Sequence, residues 1–285
     1  MTSLNNAPAQ LVHAGEVKKA VVLARGLGTR MRLHDDSVVL DAEQTTAAGQ
    51  GVKALIPLGR PFLDYVLSAV ADAGYRDVCL VVGPEHHAIR DYYAKQLILK
   101  RLRIEFAVQA RPLGTANAVA AARSFAGLEL FLVLNSDNYY PVEALQALRT
   151  LGRPGAAVFE FESLVRQGNI SPERVAQFAV VDTCADGGLL SIHEKPDPQF
   201  LASRGRECYV SMNCWLFGPS IFTACARIGP SPRNELELTD AVQFSIRVLG
   251  DGYHILKFRL GVVDLSTRAD IPAVARRLRN ITPCL

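Results

Sequence analysis

The chain has 285 residues, 49% of them hydrophobic and 21% charged, with a formal net charge of +3. Those values are ordinary for a globular protein with a sizeable core, and the weak charge argues against a nucleic-acid partner. No apolar run is long enough to span a bilayer, and the six cysteines show neither a CxxC pair nor metal-ligand spacing.

The first sixteen residues, "MTSLNNAPAQLVHAGE", lack the basic start and apolar run of a signal peptide. They read as a mobile tail on a reduced, cytoplasmic protein, ahead of one domain over 17–285. "KAVVLA" is a buried strand by its β-branched apolar run. "PFLDYVLSAVADAG" is a helix closed by Gly74, and "DVCLVVG" a strand with Cys79 as a small core hydrophobe. "EHHAIRDYYAKQL" is a helix, "RIEFAVQ" a strand and "GTANAVAAARSF" a helix. "LELFLVLNSDN" is a strand ending in polar residues, and "PVEALQALRTL" a helix opened by Pro141. This alternation predicts an α/β protein with a mostly parallel sheet and helices on both faces.

The second half is less regular. "QFAVVD", a "DGG" turn and "LLSIHE" predict a hairpin, and "CYVSMNCWLFG" a strand. A helix is expected near 220–228, and another in "ELTDAVQFSIRVLG" with Thr239 as its N-cap. The last, "DIPAVARRLRN", follows Thr267 and Asp270 at capping-box spacing. His34 to Gly51, "HDDSVVLDAEQTTAAGQG", is polar and aperiodic and reads as a long loop, a lid candidate.

The chemistry begins at "VVLARGLGTRMR". It lacks the third small residue of a dinucleotide fingerprint and the Gly-Lys-Ser/Thr of a P-loop. What remains is a strand-to-loop turn whose N–H groups can cradle oxyanions, with Arg30 able to fork onto phosphate. A plain surface turn with solvated arginines is the alternative.

Further pieces follow in order: "VKALIPLGRPFLDY", "QARPLGTANAV", "VLNSDN", "HEKP", "RNELELTDA" and "VVDLST". Together they resemble the motif set of the sugar-1-phosphate nucleotidylyltransferases, the nucleotide-sugar pyrophosphorylases, over about Val17 to Ala273. The resemblance implies a Rossmann-like nucleotidyltransferase fold with a mixed, mostly parallel central sheet flanked by helices. It implies transfer of a nucleotidyl group from an NTP to a sugar-1-phosphate or a close relative such as a cyclitol phosphate, with release of pyrophosphate.

By the same resemblance, Leu23, Ala24, Gly26, Gly28, Thr29, Gln109 and Gly114 would bind the nucleotide. Arg30 would hold the β- and γ-phosphates, Lys53 would neutralise the triphosphate, and Lys195 would sit on the sugar phosphate. Glu194 would take a sugar hydroxyl, beside Asn213, Ala179 and Trp215. Asp137 and Asp264 would hold Mg²⁺, although Asp137 could instead cap the helix at Pro141. The Gln109 amide offers one donor and one acceptor, matching uracil or thymine but also adenine; the resemblance favours UTP or dTTP. Relatives are commonly oligomers, so a homo-oligomer is expected, without nucleic-acid or membrane partners.

Three residues depart from the pattern. Arg25 stands where alanine or glycine is usual, either on a phosphate or pointing outward. Ala179 and Trp215 stand at glycine positions near the sugar, which would reshape that pocket unless the indole faces the core. A catalytically silent regulatory subunit and a nucleotide-sugar-dependent glycosyltransferase stay open as alternatives.

Overall fold

The computed structural model describes residues 16–175, 177–204 and 208–285. The expected N-terminal tail lies outside them apart from Glu16, which pairs with Arg149. Four parallel strands are built as expected: β1 (Lys19–Leu23), β2 (Asp77–Val82), β3 (Arg103–Val108) and β4 (Phe131–Asn135). A two-residue strand β5 (Asn138–Tyr139) follows β4, and then come β6 (Gly155–Glu160), β7 (Ala179–Thr183) and β8 (Leu189–His193). The chain closes with β9 (Tyr209–Phe217), β10 (His254–Phe258) and β11 (Val263–Asp264).

The main sheet runs β10-β6-β9-β4-β1-β2-β3, and β9 alone opposes its neighbours. The expected hairpin, β7 with β8, attaches to β9 through β7. Alternate residues of the strands enter two cores. Ala20, Val22, Leu80 and Leu132 pack on one face, under the helices Phe62–Asp72 and Val142–Arg149. Val21, Cys79, Val81 and Val133 pack on the other, under Thr115–Ala121, Ser220–Arg227 and Leu238–Phe244. A sheet covered on both faces explains why these strands read as continuous apolar runs. Burial pushes the Cys79 thiol up to about 12, consistent with a packing role.

Two expectations change. Within 34–51, Ala42–Gln50 is a helix, not loop. Asp41 accepts from the Gln44 amide at 2.7 Å and Gln44 reaches back to Asp41, a capping box that compensates for missing apolar periodicity. Only Ala48 of that helix is buried, which is why periodicity could not reveal it. Thr239 does not cap its helix. Glu237 is the N-cap residue, and Thr239 is buried in the first turn.

Chain order places β2 and β3 on one side of β1 and β4 on the other. The reversal leaves a crevice at the carboxyl ends of β1 and β4, the usual ligand position in open α/β sheets.

Candidate active site

A cavity of about 370 Å³ opens at that crevice. Leu23, Ala24, Gly26 and Thr29 line it from the end of β1, Gln109 and Gly114 from beyond β3, and Asp137 from beyond β4. Lys53 reaches in from a short helical turn, and its Nζ lies 2.7 Å from Asp137 Oδ2. The predicted phosphate loop, Lys53 and Asp137 thus share one cavity, and Asp137 faces a cation instead of capping the helix after Pro141.

Backbone contacts join the motifs in pairs. Gly28 has φ 61°, and a Cβ there would lie 2.0 Å from the carbonyl oxygen of Gly51, so glycine is required for the loop to sit on the turn bearing Lys53. Gly114 has φ 112°, and its Cβ would lie 2.5 Å from the Leu236 carbonyl oxygen. Hydrogen bonds of 2.7 Å (Leu236 N–H to Leu113 O) and 2.9 Å (Ala116 N–H to Leu236 O) fix that contact. Thr115 Oγ1 accepts from the Leu238 amide at 2.9 Å. The segment from Leu236 to Leu238 is therefore a strut for the loop that carries Gly114.

The strands β5 and β11 pair antiparallel, with Asn138 opposite Asp264, and the Leu265 amide donates to the Asp137 carbonyl at 2.8 Å. This pairing brings together two carboxylates distant in sequence. Burial raises the Asp264 carboxyl above its ordinary range and the charge of Asp137 adds to the rise, while Arg174 opposes it. The Asp264 oxygens accept from Asn138, Ser266 and Arg174. Asp137 Oδ1 accepts from no described residue, so Asp137 is the carboxylate open to the cavity. Among the described residues no cluster of three or more His, Cys, Asp or Glu side chains could hold a metal. Asp264 is buried, is not part of the cavity wall, and has both oxygens engaged, so Asp137 is the carboxylate of the two that presents a free oxygen there.

Other predicted residues lie outside this cavity. Arg30 is exposed on the short helix Thr29–Arg32. Ala179, Glu194, Lys195 and Asn213 belong to the flank formed by β7, β8 and β9. Glu194 lies 3.7 Å from Arg233, and its carboxyl is raised by desolvation, with Glu237 adding and Arg233 opposing. Lys195 (φ 45°) and Asn213 (φ 57°) both adopt the left-handed region, uncommon for residues with a Cβ. At Asn213 the cause is a bulge in β9, where its register with β6 shifts between Ala157 and Val158. Such outliers concentrate at ligand sites.

Trp215 does not contribute to a pocket. It is fully buried, with its ring stacked on Phe217 at 5.5 Å and edge-on to Tyr253 at 5.8 Å. Its place in β9, opposite Val133, turns the indole into the core beneath the helix Ser220–Arg227.

Sequence reading passed over several residues of the cavity wall, among them His86, Asn135, Ser136 and Glu235. His86, just beyond β2, could have been found from the rule that ligands gather at carboxyl ends of parallel strands. Arg25 is resolved: its side chain is 7% exposed, lines the cavity and donates to Glu85 at 3.2 Å.

A model of the nucleotidyl transferase family matches residues 46–258. The chain belongs to that family. This nucleotidyl transferase is 32% identical over 232 residues to a glucose-1-phosphate thymidylyltransferase of Streptomyces griseus, covering 80% of this chain and 57% of the relative. It is 26% identical over 255 residues to a UTP–glucose-1-phosphate uridylyltransferase of Bacillus subtilis, covering 80% and 78%. The alignment with the Streptomyces protein thus spans little more than half of that relative. In three dimensions the nucleotidyl transferase matches a UDP-glucose pyrophosphorylase complexed with UDP-glucose, with a TM-score of 0.72 and 17% identity, over 93% of this chain and all of the other. That likeness establishes the fold, an α/β sheet of mixed but mostly parallel strands between helices.

Among the described residues no helix is long and apolar enough to cross a membrane.

Proposed function

We propose that residues 17–285 act as one nucleotidylyltransferase domain that joins UTP or dTTP to a sugar-1-phosphate or a related cyclitol phosphate. The products are a nucleotide-sugar and pyrophosphate. The observation that carries this reading is the Lys53–Asp137 pair, facing the glycine-bearing loop across one cavity.

A phosphate monoester is already an anionic nucleophile, so the reaction needs no strong general base. One of its oxygens attacks the α-phosphorus and the pyrophosphate leaves from the opposite side. The barrier is the in-line approach of two anions, and positioned cations and N–H groups lower it. Here the turn from Ala24 to Thr29 offers its amides to the phosphates, and Lys53 releases Asp137 to meet their charge. Arg30, exposed on the helix that follows this turn, is the cation proposed for the β- and γ-phosphates. Lys195, Glu194 and Asn213 on the neighbouring flank receive the sugar phosphate. Asp137, with Oδ1 unpartnered among the described residues, would offer Mg²⁺ a carboxylate oxygen, and Asp264 would join it by exchanging its contacts with Arg174; the metal when bound would draw the phosphates together.

The reading of the base follows the names of the two relatives, one a thymidylyl- and the other a uridylyltransferase. The test is pyrophosphate release in the presence of Mg²⁺, with each NTP crossed against a panel of sugar- and cyclitol-1-phosphates. Release confined to UTP or dTTP with one acceptor, and abolished in Asp137→Ala, is expected. Release with a purine NTP alone would overturn the base assignment. Nucleotide binding without turnover on any acceptor would favour a regulatory subunit.

A further inference from the structure

Arg25 is more than nine-tenths buried, yet just one of its three nitrogens is engaged: Nη2 donates to Glu85 Oε1 at 3.2 Å. Nε and Nη1 are buried with no hydrogen-bond partner among the described residues, and the side chain lines the cavity. A buried guanidinium with unmet N–H bonds is costly unless a ligand supplies acceptors. Nε and Nη1 therefore keep three N–H bonds without an acceptor at the cavity wall.

Strand order indicates which part of a nucleotide these donors face. Arg25 follows β1 and is tethered to Glu85 beyond β2, while Gln109 follows β3. Lys53 and Asp137 lie on the opposite side of β1, beyond β4. Arg25 is thus on the Gln109 side of the cavity, away from the cation and carboxylate assigned to the phosphates.

Gln109 itself has little left to donate. Its Nε2 donates to the Gly114 carbonyl at 3.0 Å and to Asn117 Oδ1 at 2.9 Å. The carbonyl Oε1 is what remains for a ligand. The expectation that this one amide reads a base as both donor and acceptor does not hold for the folded chain.

We infer that Arg25 supplies the donors that Gln109 cannot, and that the two together select a base carrying a carbonyl oxygen beside a ring N–H, as uracil and thymine do. The inference rests on the nucleotide role proposed above and names what reads the base. Arg25 donates to the base carbonyl and Gln109 Oε1 accepts from the ring N–H. Cytosine reverses both partners: its amine faces the Arg25 donors and its bare ring nitrogen faces the Gln109 oxygen. Adenine lacks the carbonyl altogether; guanine, which has both the carbonyl and the ring N–H, is set apart by its larger ring system and not by this pattern. Polar groups left unmatched in a buried site discriminate strongly.

The test is equilibrium binding of UTP, dTTP, CTP and ATP to the full chain by calorimetry, without acceptor, so that turnover is not needed. UTP against CTP isolates the hydrogen-bond pattern at constant ring size. The wild type is expected to bind UTP and dTTP at least tenfold more tightly than CTP and ATP. Arg25→Ala and Arg25→Lys are expected to reduce the UTP:CTP affinity ratio about ten- to a hundredfold while CTP affinity changes little. Arg25→Lys keeps the positive charge beside Glu85 and serves if the alanine variant does not fold.

An equal loss for all four nucleotides would place Arg25 on the triphosphate and overturn the inference, as would an unchanged ratio in both variants. Absence of NTP binding by the wild type would overturn the proposed function and this inference together. Binding with an unaltered ratio would overturn this inference alone.

Discussion

Lys53 Nζ and Asp137 Oδ2 stand 2.7 Å apart although 84 residues separate them in the chain. Each side chain keeps part of its surface open, 13% for Lys53 and 27% for Asp137, so the pair is accessible from the cavity. In this arrangement a carboxylate holds a lysine in position until an anion of higher charge displaces it. Under the proposed function, an incoming triphosphate would replace Asp137 as the partner of Lys53.

Removing either member should therefore affect turnover far more than stability. Lys53→Met and Asp137→Asn are each expected to lower kcat/KM for nucleotidyl transfer about a hundredfold or more, the range for loss of a preorganised charge. A partly exposed pair contributes at most ~1 kcal/mol to folding, so melting temperatures should move by only a few degrees. Without divalent metal, Asp137→Asn should bind NTP at least as tightly as the wild type, because a repelling carboxylate is gone. Weaker NTP binding by that variant under metal-free conditions would contradict this account.

Gly28 is a stability and geometry switch for the same site. Its Cβ-equivalent position is 2.0 Å from the Gly51 carbonyl oxygen, inside any real contact distance, and its backbone is left-handed. Gly28→Ala should destabilise by about 1–3 kcal/mol or push the turn off its support. Gly26→Ala, where an added Cβ meets nothing within 4 Å, is the matched control. Thermal melts and NTP titrations of the two variants should diverge, with Gly26→Ala close to wild type in stability.

The sheet and half of the site were legible because they rest on local pattern. Continuous apolar runs imply strands covered on both faces, and the residues that break those runs, Ala24-Arg25-Gly26 and Asn135-Ser136-Asp137, mark the edge where the cavity opens. What the sequence concealed depends on partners far along the chain. Whether Arg25 points in or out is decided by Glu85, and the environment of Asp264 by Arg174, 60 and 90 residues away. The orientation of Trp215 follows from the register of β9 against β4, which no spacing within "MNCWLFG" encodes. The helix Ala42–Gln50 was written locally, in Asp41 and Gln44, but as a cap and not as an apolar period.

Arg174 should prove to be a structural counter-charge. One side of its guanidinium pairs with Asp264 and the other with Asp270 at 2.7 Å, and both carboxylates are nearly fully buried. Arg174→Met leaves them uncompensated, which should cost about 3–5 kcal/mol at pH 7.5. The folded-state pKa of Asp264 lies above its unfolded value, so the native state binds more protons and stability declines as pH rises through that interval. Without Arg174 the upper end of the interval moves toward neutrality. Urea melts of the variant should accordingly show a partial recovery on lowering the pH from 7.5 to ~5.5, larger than any gain in the wild type. Equal destabilisation at both pH values would mean that Arg174 holds the loop by packing and not by charge.

His86 gives a dependence of the opposite sign. Burial depresses its imidazole pKa, Arg25 and Arg90 reinforce the depression, and Glu85 opposes it. The neutral ring accepts from the Gly83 amide through Nδ1 at 3.3 Å. Because the folded value lies below the ordinary value of about 6.5, the unfolded chain binds more protons in between. The stabilisation is complete above about pH 6.5 and is lost as pH falls through the folded value. His86→Gln removes the titration, so the slope of stability against pH between ~7 and ~5 should flatten relative to wild type. Parallel slopes in the two proteins would show that His86 remains uncharged in both states or charged in both, and that another group sets the acid limb.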